Sequence, residues 1–305
     1  MEDNKIRIGI TQGDINGVGY EVILKTFAEP AMLELCTPIV YGSPKVAAYH
    51  RKSLDLPTNF SIVESAEDAA PDRLSIVNCN DDEVKVEFAN PTFEAGHAAL
   101  AALEKAVEEY KKGLIDVIVT APINKHTIQS KDFHFPGHTE YIEQTLGEGE
   151  KALMILMKND LRVALVTGHI PVSKIASVLN KELIKEKLRI FHRSLKLDFD
   201  IEIPRIAVLS LNPHAGDEGL LGTEEQDIII PAMKEAGEEG ILCFGPFPVD
   251  GFMGAGGFSH FDGILAMYHD QGLAPFKALA MDEGVNFTAG LPVVRTSPAH
   301  GTAYD

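Results

Sequence analysis

Short apolar runs that end abruptly in polar residues recur along this chain, with stretches of helical spacing between them. Ile264-Leu265-Ala266-Met267 passes directly into Tyr268-His269-Asp270. Val163-Ala164-Leu165-Val166 passes into Thr167-Gly168-His169, and Ile206-Ala207-Val208-Leu209 into Ser210-Leu211-Asn212-Pro213-His214. Such runs read as buried strands, and strands alternating with helical patterns imply mostly parallel sheets covered by helices. At 305 residues the chain exceeds what one hydrophobic core fills, so an α/β fold of two domains, each with a mostly parallel sheet, is expected.

Ligands of open α/β sheets sit outside the carboxyl ends of strands, which makes His169, His214 and His269 candidates for one shared site. Their separations, 45 and 55 residues, exclude a zinc finger and a helical HExxH pair, whose ligands lie close in sequence. Three imidazoles without nearby cysteine ligands suit a catalytic divalent ion with open positions: Zn, Co or Ni, or Mg or Mn where a substrate adds oxygen ligands. An isolated histidine is more often packed or solvated, and among the 11 in this chain His50, His97, His192 and His260 are read that way. Gly272 is expected to allow a turn after His269, bringing back the positive charge of Lys277.

The net charge of -18 argues against binding nucleic acid or an anionic membrane through bulk electrostatics, so an anionic substrate must meet a local cluster of Lys and Arg. Cys36, Cys79 and Cys243 have no CxxC spacing and fit reduced thiols in a cytoplasm. Met1-Glu2-Asp3-Asn4 lacks the start of a signal peptide, and no apolar run approaches a membrane span.

Along the chain, the strand Ile6–Ile10 leads into Gly13-Asp14-Ile15-Asn16-Gly17-Val18-Gly19 and a helix through Ile23, Leu24 and Phe27. That layout suits either an anion-binding loop or a tight turn that merely uses glycine, and its spacing matches neither GxGxxG nor a Walker loop. Leu100, Leu103, Val107 and Tyr110 predict an amphipathic helix between Phe93 and Lys112. Asn124 and Lys125 follow the strand 115–119, and His138-Thr139 open a helix where an anion can be held. Leu153–Met157 and Leu161–Val166 read as a hairpin, Thr223 with Gln226 as a capping box, and 245–257 as a Gly- and Pro-rich loop containing Asp250.

GDINGVGYE (13–21), TAPINK (120–125), PGHTE (136–140), LNPHAGDEG (211–219), GTEE (222–225), AMYHDQGLAPFK (266–277), GVNFTAGLPVVRTS (284–297) and HGTAYD (300–305) together resemble the 4-hydroxythreonine-4-phosphate dehydrogenases of pyridoxal phosphate biosynthesis. The motifs run from end to end in that family's order, and MYHDQG and LNPHAG are specific to it. The resemblance implies NAD-dependent oxidation of 4-phosphooxy-L-threonine, with NADP as the alternative cofactor, and decarboxylation to 3-amino-2-oxopropyl phosphate. It implies a homodimer with active sites at the subunit interface. It also implies a fold of two α/β/α domains similar to isocitrate and isopropylmalate dehydrogenases, with the active site in the interdomain cleft. The domains expected are 1–126 with 278–305 on the cofactor side, and 127–277 carrying the metal ligands and the dimer contacts.

Carried over by motif, the metal ligands fall on His169, His214 and His269, for Zn, Co or Mg. The substrate-binding residues fall on His138, Thr139, Lys277, Asn286 and Arg295, and His300-Gly301-Thr302 resembles an adenosine-binding loop. Lys277 suits a point charge or proton donor, while Asp270 and Asp250 are candidates for orienting a ligand or moving a proton. Ile15, Asn16 and Tyr20 stand where the family commonly has Pro, Ala and Pro, and Gly251-Phe252-Met253 differs from many members. The family continues past HGTAYD, so the 300–305 loop is expected to lose ordering contacts and to bind NAD less tightly than a longer chain. Two other functions fit the motifs less fully: a relative acting on threonate or erythronate phosphate, and a metal-dependent hydrolase without nicotinamide.

Overall fold

The computed structural model describes residues 5–80, 84–130 and 133–304, so Met1–Asn4 and the final Asp305 of the last motif lie outside the described residues. The chain divides into two compact units, Met1–Glu150 with Leu291–Asp305, and Lys151–Gly290. In the first, β1 (Ile6–Thr11) leads through α1 (Gly19–Thr26) and α2 (Pro30–Leu35) to β2 (Cys36–Gly42). Then come α3 (Pro44–Ser53), β3 (Phe60–Val63), β4 (Leu74–Asn78), α4 (Phe93–Lys111), β5 (Val117–Thr120) and α5 (His138–Leu146). The second holds β6 (Leu153–Lys158), β7 (Leu161–Leu165), α6 (Ile175–Val178), α7 (Lys181–Leu197), β8 (Arg205–Leu209) and α8 (Ile230–Glu238). It continues with β9 (Leu242–Phe247), α9 (Val249–Gly254), β10 (Gly263–Ala266), α10 (His269–Ala280) and β11 (Val285–Ala289); β12 (Arg295–Pro298) returns to the first unit.

In the first unit the strand order is β3-β4-β2-β1-β5-β12 and every pairing is parallel. A parallel sheet needs cover on both faces, and β2 shows why this sequence supplies it: all seven of its residues are buried. Ile39 and Tyr41 enter the core beneath α4 and α5, while Val40 enters the core beneath α1 and α3. The helical spacing between Phe93 and Lys112 gives α4, capped by Thr92, whose hydroxyl accepts from the Ala95 amide at 3.2 Å.

The second unit orders its strands β11-β6-β7-β10-β8-β9. The expected hairpin is present, with β6 antiparallel to β7, whereas β7, β10, β8 and β9 are mutually parallel. Leu188, Phe191 and Leu195 of α7 pack on Ile206, Val208 and Leu265 in its core. Gly272 makes no turn: it lies inside α10, where a Cβ would meet Leu165 Cδ2 at 2.8 Å and Ala266 Cβ at 3.0 Å. Its missing side chain lets the helix lie directly against β7 and β10.

Several expectations give way to packing. The units meet at 150/151 and 290/291, rather than at 126/127 and 277/278. Tyr141, Ile142 and Leu146 of α5 bury themselves against Leu100 and Leu103, which keeps 127–150 in the first unit. Strand β11 pairs in register with β6, Phe287 opposite Ile155, which keeps 278–290 in the second. No capping box forms at Thr223: a π turn over Glu225–Ile229 precedes α8, and the Asp227 amide donates to the Thr223 carbonyl at 2.8 Å. Residues 249–254 of the expected loop are helical, with Asp250 exposed in the first turn of α9.

The first motif forms the tight turn. The amides of Asp14, Asn16, Gly17 and Val18 donate to Pro122 O, Asp14 Oδ1, Asp14 O and Thr302 O, which leaves little of the backbone for an anion. The residues that depart from the family pattern hold it. Tyr20 donates to Gln12 Oε1 at 2.9 Å, and Asn16 bridges Glu87 N, Asn90 O and Thr92 Oγ1. His50, fully buried, places Nε2 2.8 Å from Ile15 O, and since a carbonyl only accepts, that nitrogen carries the proton.

Burial lowers the His50 pKa below its ordinary 6.5. The unfolded chain therefore binds the extra proton first, and the stability His50 contributes is complete above about pH 6.5 and is lost as pH falls below it. Denaturant midpoints measured from pH 8 to pH 5 should fall more steeply for the native chain than for His50→Asn. Parallel curves would show that His50 is not the titrating group.

Candidate active site

The three strand-end histidines all lie in the second unit, on the carboxyl edges of the adjacent parallel strands β7, β10 and β8. The His169 and His269 rings stand 5.4 Å apart, centroid to centroid, His169 exposed and His269 partly so. The Nδ1 of His269 faces Asp270 Oδ2 at 3.3 Å, which leaves Nε2 for a ligand. His214 is exposed too, but it begins a run, His214 to Glu218, with φ between 44° and 82° throughout. Left-handed backbone costs about 1–2 kcal/mol per non-glycine residue, so this loop is held in place by something else.

Glu225 holds it. Its carboxylate is 1% exposed and accepts from the amides of Leu211 and Asn212 at 2.8 and 2.7 Å and from Asn212 Nδ2 at 3.0 Å. Gln271 ties the same loop to the start of α10, donating to Ser210 O at 2.5 Å and accepting from the Met267 amide at 2.8 Å. Thr167 joins the β7 end to the β10 end through Met267 O at 2.7 Å. Sequence reasoning passed over these three supports. The signal was there in part, since Glu225 sits in the GTEE motif and Gln271 in MYHDQG.

Among the described residues no three His, Cys, Asp or Glu side chains stand together as a metal cage. The structure brings His169 and His269 together and leaves His214 outside that pair. Two accessible imidazoles, one oriented through its far nitrogen by a carboxylate, fit a divalent ion with open positions. Lys277 lies two turns along α10 from His269, about 12 Å at 1.5 Å per residue, and is half-buried. Asn286, on β11, has a buried Oδ1 with no hydrogen-bond partner. Asp250 makes no contact that would join it to the histidines.

The first unit carries the other set. Arg295, the first residue of β12, is 3% exposed and donates from Nε to Thr120 Oγ1 at 3.2 Å and from Nη1 to Thr139 Oγ1 at 3.4 Å. Burial lowers its pKa to about 10, while the Glu140 carboxylate favours the charged form. His138 begins α5, and its buried Nε2 has no partner. Burial, then the charges of Arg295 and Lys125, push its pKa well below the ordinary value, so the ring is a neutral donor or acceptor at neutral pH. A guanidinium, a hydroxyl, an orphaned imidazole nitrogen and a helix N-terminus are the groups that suit an anion. Asn124 Oδ1 instead accepts the amides of His126 and Thr127, closing its own turn.

The loop expected to hold adenosine is also in the first unit. His300 and Gly301 are exposed, and no heavy atom lies within 4 Å of where a Gly301 Cβ would stand, so a flat ring has room against the backbone. The loop has ordering contacts to the first motif: Thr302 O accepts from Val18 N at 2.9 Å, and the Tyr304 hydroxyl donates to Asp14 Oδ2 at 2.7 Å.

The sequence model of one family, pyridoxal phosphate biosynthetic protein PdxA, matches residues 34–305. The chain belongs to the PdxA family. It is 77% identical over all 305 residues to a 4-hydroxythreonine-4-phosphate dehydrogenase of Bacteroides thetaiotaomicron, covering 84% of that protein. It is 42% identical over 300 residues to the enzyme of that name from Aquifex aeolicus, covering 98% of this chain and 91% of the relative. Among solved structures, the 4-hydroxythreonine-4-phosphate dehydrogenase of Klebsiella pneumoniae matches with a TM-score of 0.86 at 31% identity, covering all of this chain and 92% of the other. PdxA membership accounts for the shared order of the motifs and for the mostly parallel α/β architecture.

Proposed function

We propose that this chain oxidises 4-phosphooxy-L-threonine with NAD and decarboxylates the product to 3-amino-2-oxopropyl phosphate, a step of pyridoxal phosphate biosynthesis. The observation that carries the reading is the 77% identity, over its whole length, to a dehydrogenase named for that substrate. The chemistry of the two residue sets supports it. Oxidation of the alcohol gives a ketone β to the carboxylate, and loss of CO2 leaves an enolate. A divalent ion, Zn, Co or Mg, would when bound supply Lewis acidity to the substrate oxygen.

His169, His269 and His214 would hold the ion through imidazole nitrogens. Asp270 orients His269. Arg295, Thr139 and His138 bind the phosphate, Arg295 with its two-pronged fork and His138 as an uncharged donor. Asn286 offers its orphaned amide oxygen to a substrate donor, and Lys277 returns a proton to the enolate carbon. His300, Gly301 and Thr302 receive the adenosine end of NAD. The reading includes a homodimer, which the exposure of Val172 and Leu220 beside the histidine loops supports. It also includes a cytoplasmic location, which three free cysteines fit. Among the described residues no helix is long and apolar enough to cross a membrane.

The test is NADH absorbance with 4-phosphooxy-L-threonine, with and without a chelator. Absorbance that rises and is abolished by the chelator is the expected result. NADH formed only from threonate or erythronate phosphate would reassign the substrate, and phosphate release without NADH would replace the dehydrogenase by a hydrolase.

A further inference from the structure

The hydroxyl of Tyr304 lies where three strand-end loops of the first unit meet. It donates to Asp14 Oδ2 at 2.7 Å, in the loop after β1. The Asp14 amide donates to Pro122 O, in the loop after β5, and the Val18 amide to Thr302 O, in the loop after β12, each at 2.9 Å. Strands β1, β5 and β12 are neighbours and parallel, so these loops leave the same edge of the sheet. Asp14 is 1% exposed and has one other donor, the Asn16 amide at 2.9 Å. Gly17 makes the approach possible, since a Cβ there would stand 2.6 Å from Thr302 O. Ala303 between them holds a φ of 48°, a conformation an alanine keeps only when its neighbours fix it.

We propose that Tyr304 is a positioning residue for the nicotinamide cofactor, its bond to the buried Asp14 carboxylate fixing the 300–304 loop in the shape that receives adenosine. The inference rests on the dehydrogenase reading. Tyr304 does not touch the reacting atoms: it sets the geometry of His300, Gly301 and Thr302 through the backbone they share. A buried carboxylate is costly to leave without its donors, so the bond to Tyr304 is stronger than one between neutral groups. Burial of the Tyr304 hydroxyl and the neighbouring Asp14 charge push its pKa up to about 12, so it stays a donor through the working range. Without that bond the loop keeps only the Val18–Thr302 backbone bond to the first motif and samples other shapes, which weakens cofactor binding by the fraction of time spent in them.

NAD titrated by calorimetry into the native chain, Tyr304→Phe and Asp14→Asn tests this. Tyr304→Phe should raise the NAD dissociation constant roughly ten- to a hundredfold, and Asp14→Asn, which keeps an acceptor oxygen, by less. The amides of 302–304 should exchange with deuterium faster in Tyr304→Phe, while inorganic phosphate still binds at Arg295 with native affinity. In turnover, KM for NAD should rise and kcat at saturating NAD should stay within about twofold. Native NAD affinity in both variants would overturn the role of Tyr304 alone, as would loss of phosphate binding along with NAD binding, which marks general collapse. Absence of NAD binding by the native chain would overturn the dehydrogenase reading and this inference together.

Discussion

His269→Ala should lose metal-stimulated NADH formation by about two to four orders of magnitude, the several kcal/mol a Lewis acid contributes to stabilising a developing oxyanion. Its ring stands 5.4 Å from that of His169, so removing either leaves one imidazole of the close pair. Asp270→Asn should cost less, about ten- to a hundredfold, since Asp270 Oδ2 only orients the ring through Nδ1. His214→Ala separates two arrangements. If its loss matches that of His269→Ala, the left-handed loop moves in to complete the site; a much smaller loss means the pair works with substrate oxygens alone. Rates measured against metal concentration check all three, and native metal dependence in His269→Ala would remove the assignment.

The sequence made β1, β5, β7, β8 and β10 legible because each is short, apolar and closed by a polar residue, and in parallel sheets those closures fall on one edge. That is why His169 and His269, 100 residues apart, could be placed together. What holds them was less visible. Gln271 reads as an ordinary polar residue until its two bonds to Ser210 O and Met267 N are seen, because a side chain satisfying distant backbone has no periodicity. The unit boundaries were missed for a related reason. Residues 278–290 continue the chain from α10 without a break in composition, and only the register of Phe287 on Ile155 assigns them to the second unit. The turn expected at Gly272 failed because a glycine needed for close helix-to-strand contact looks the same in sequence as one needed for positive φ.

Arg295→Lys should raise KM for the phosphorylated substrate about ten- to a hundredfold at neutral pH, with a smaller effect on kcat, because the change removes ground-state binding more than chemistry. The guanidinium reaches Thr120 Oγ1 through Nε and Nη2 and Thr139 Oγ1 through Nη1. One ammonium cannot span both hydroxyls and still present two parallel donors to a phosphate. Protonation adds a second penalty. Burial lowers the Arg295 pKa from 12.5 to about 10, which still leaves it charged at neutral pH. A lysine starts about two units lower, near 10.4, so the same burial brings it toward neutrality within the working range. The defect of Arg295→Lys should therefore widen between pH 7 and pH 9, while the native enzyme holds its KM over most of that span. KM profiles of both chains across that interval test the idea, and a lysine variant with native KM at both ends would take Arg295 out of the anion site.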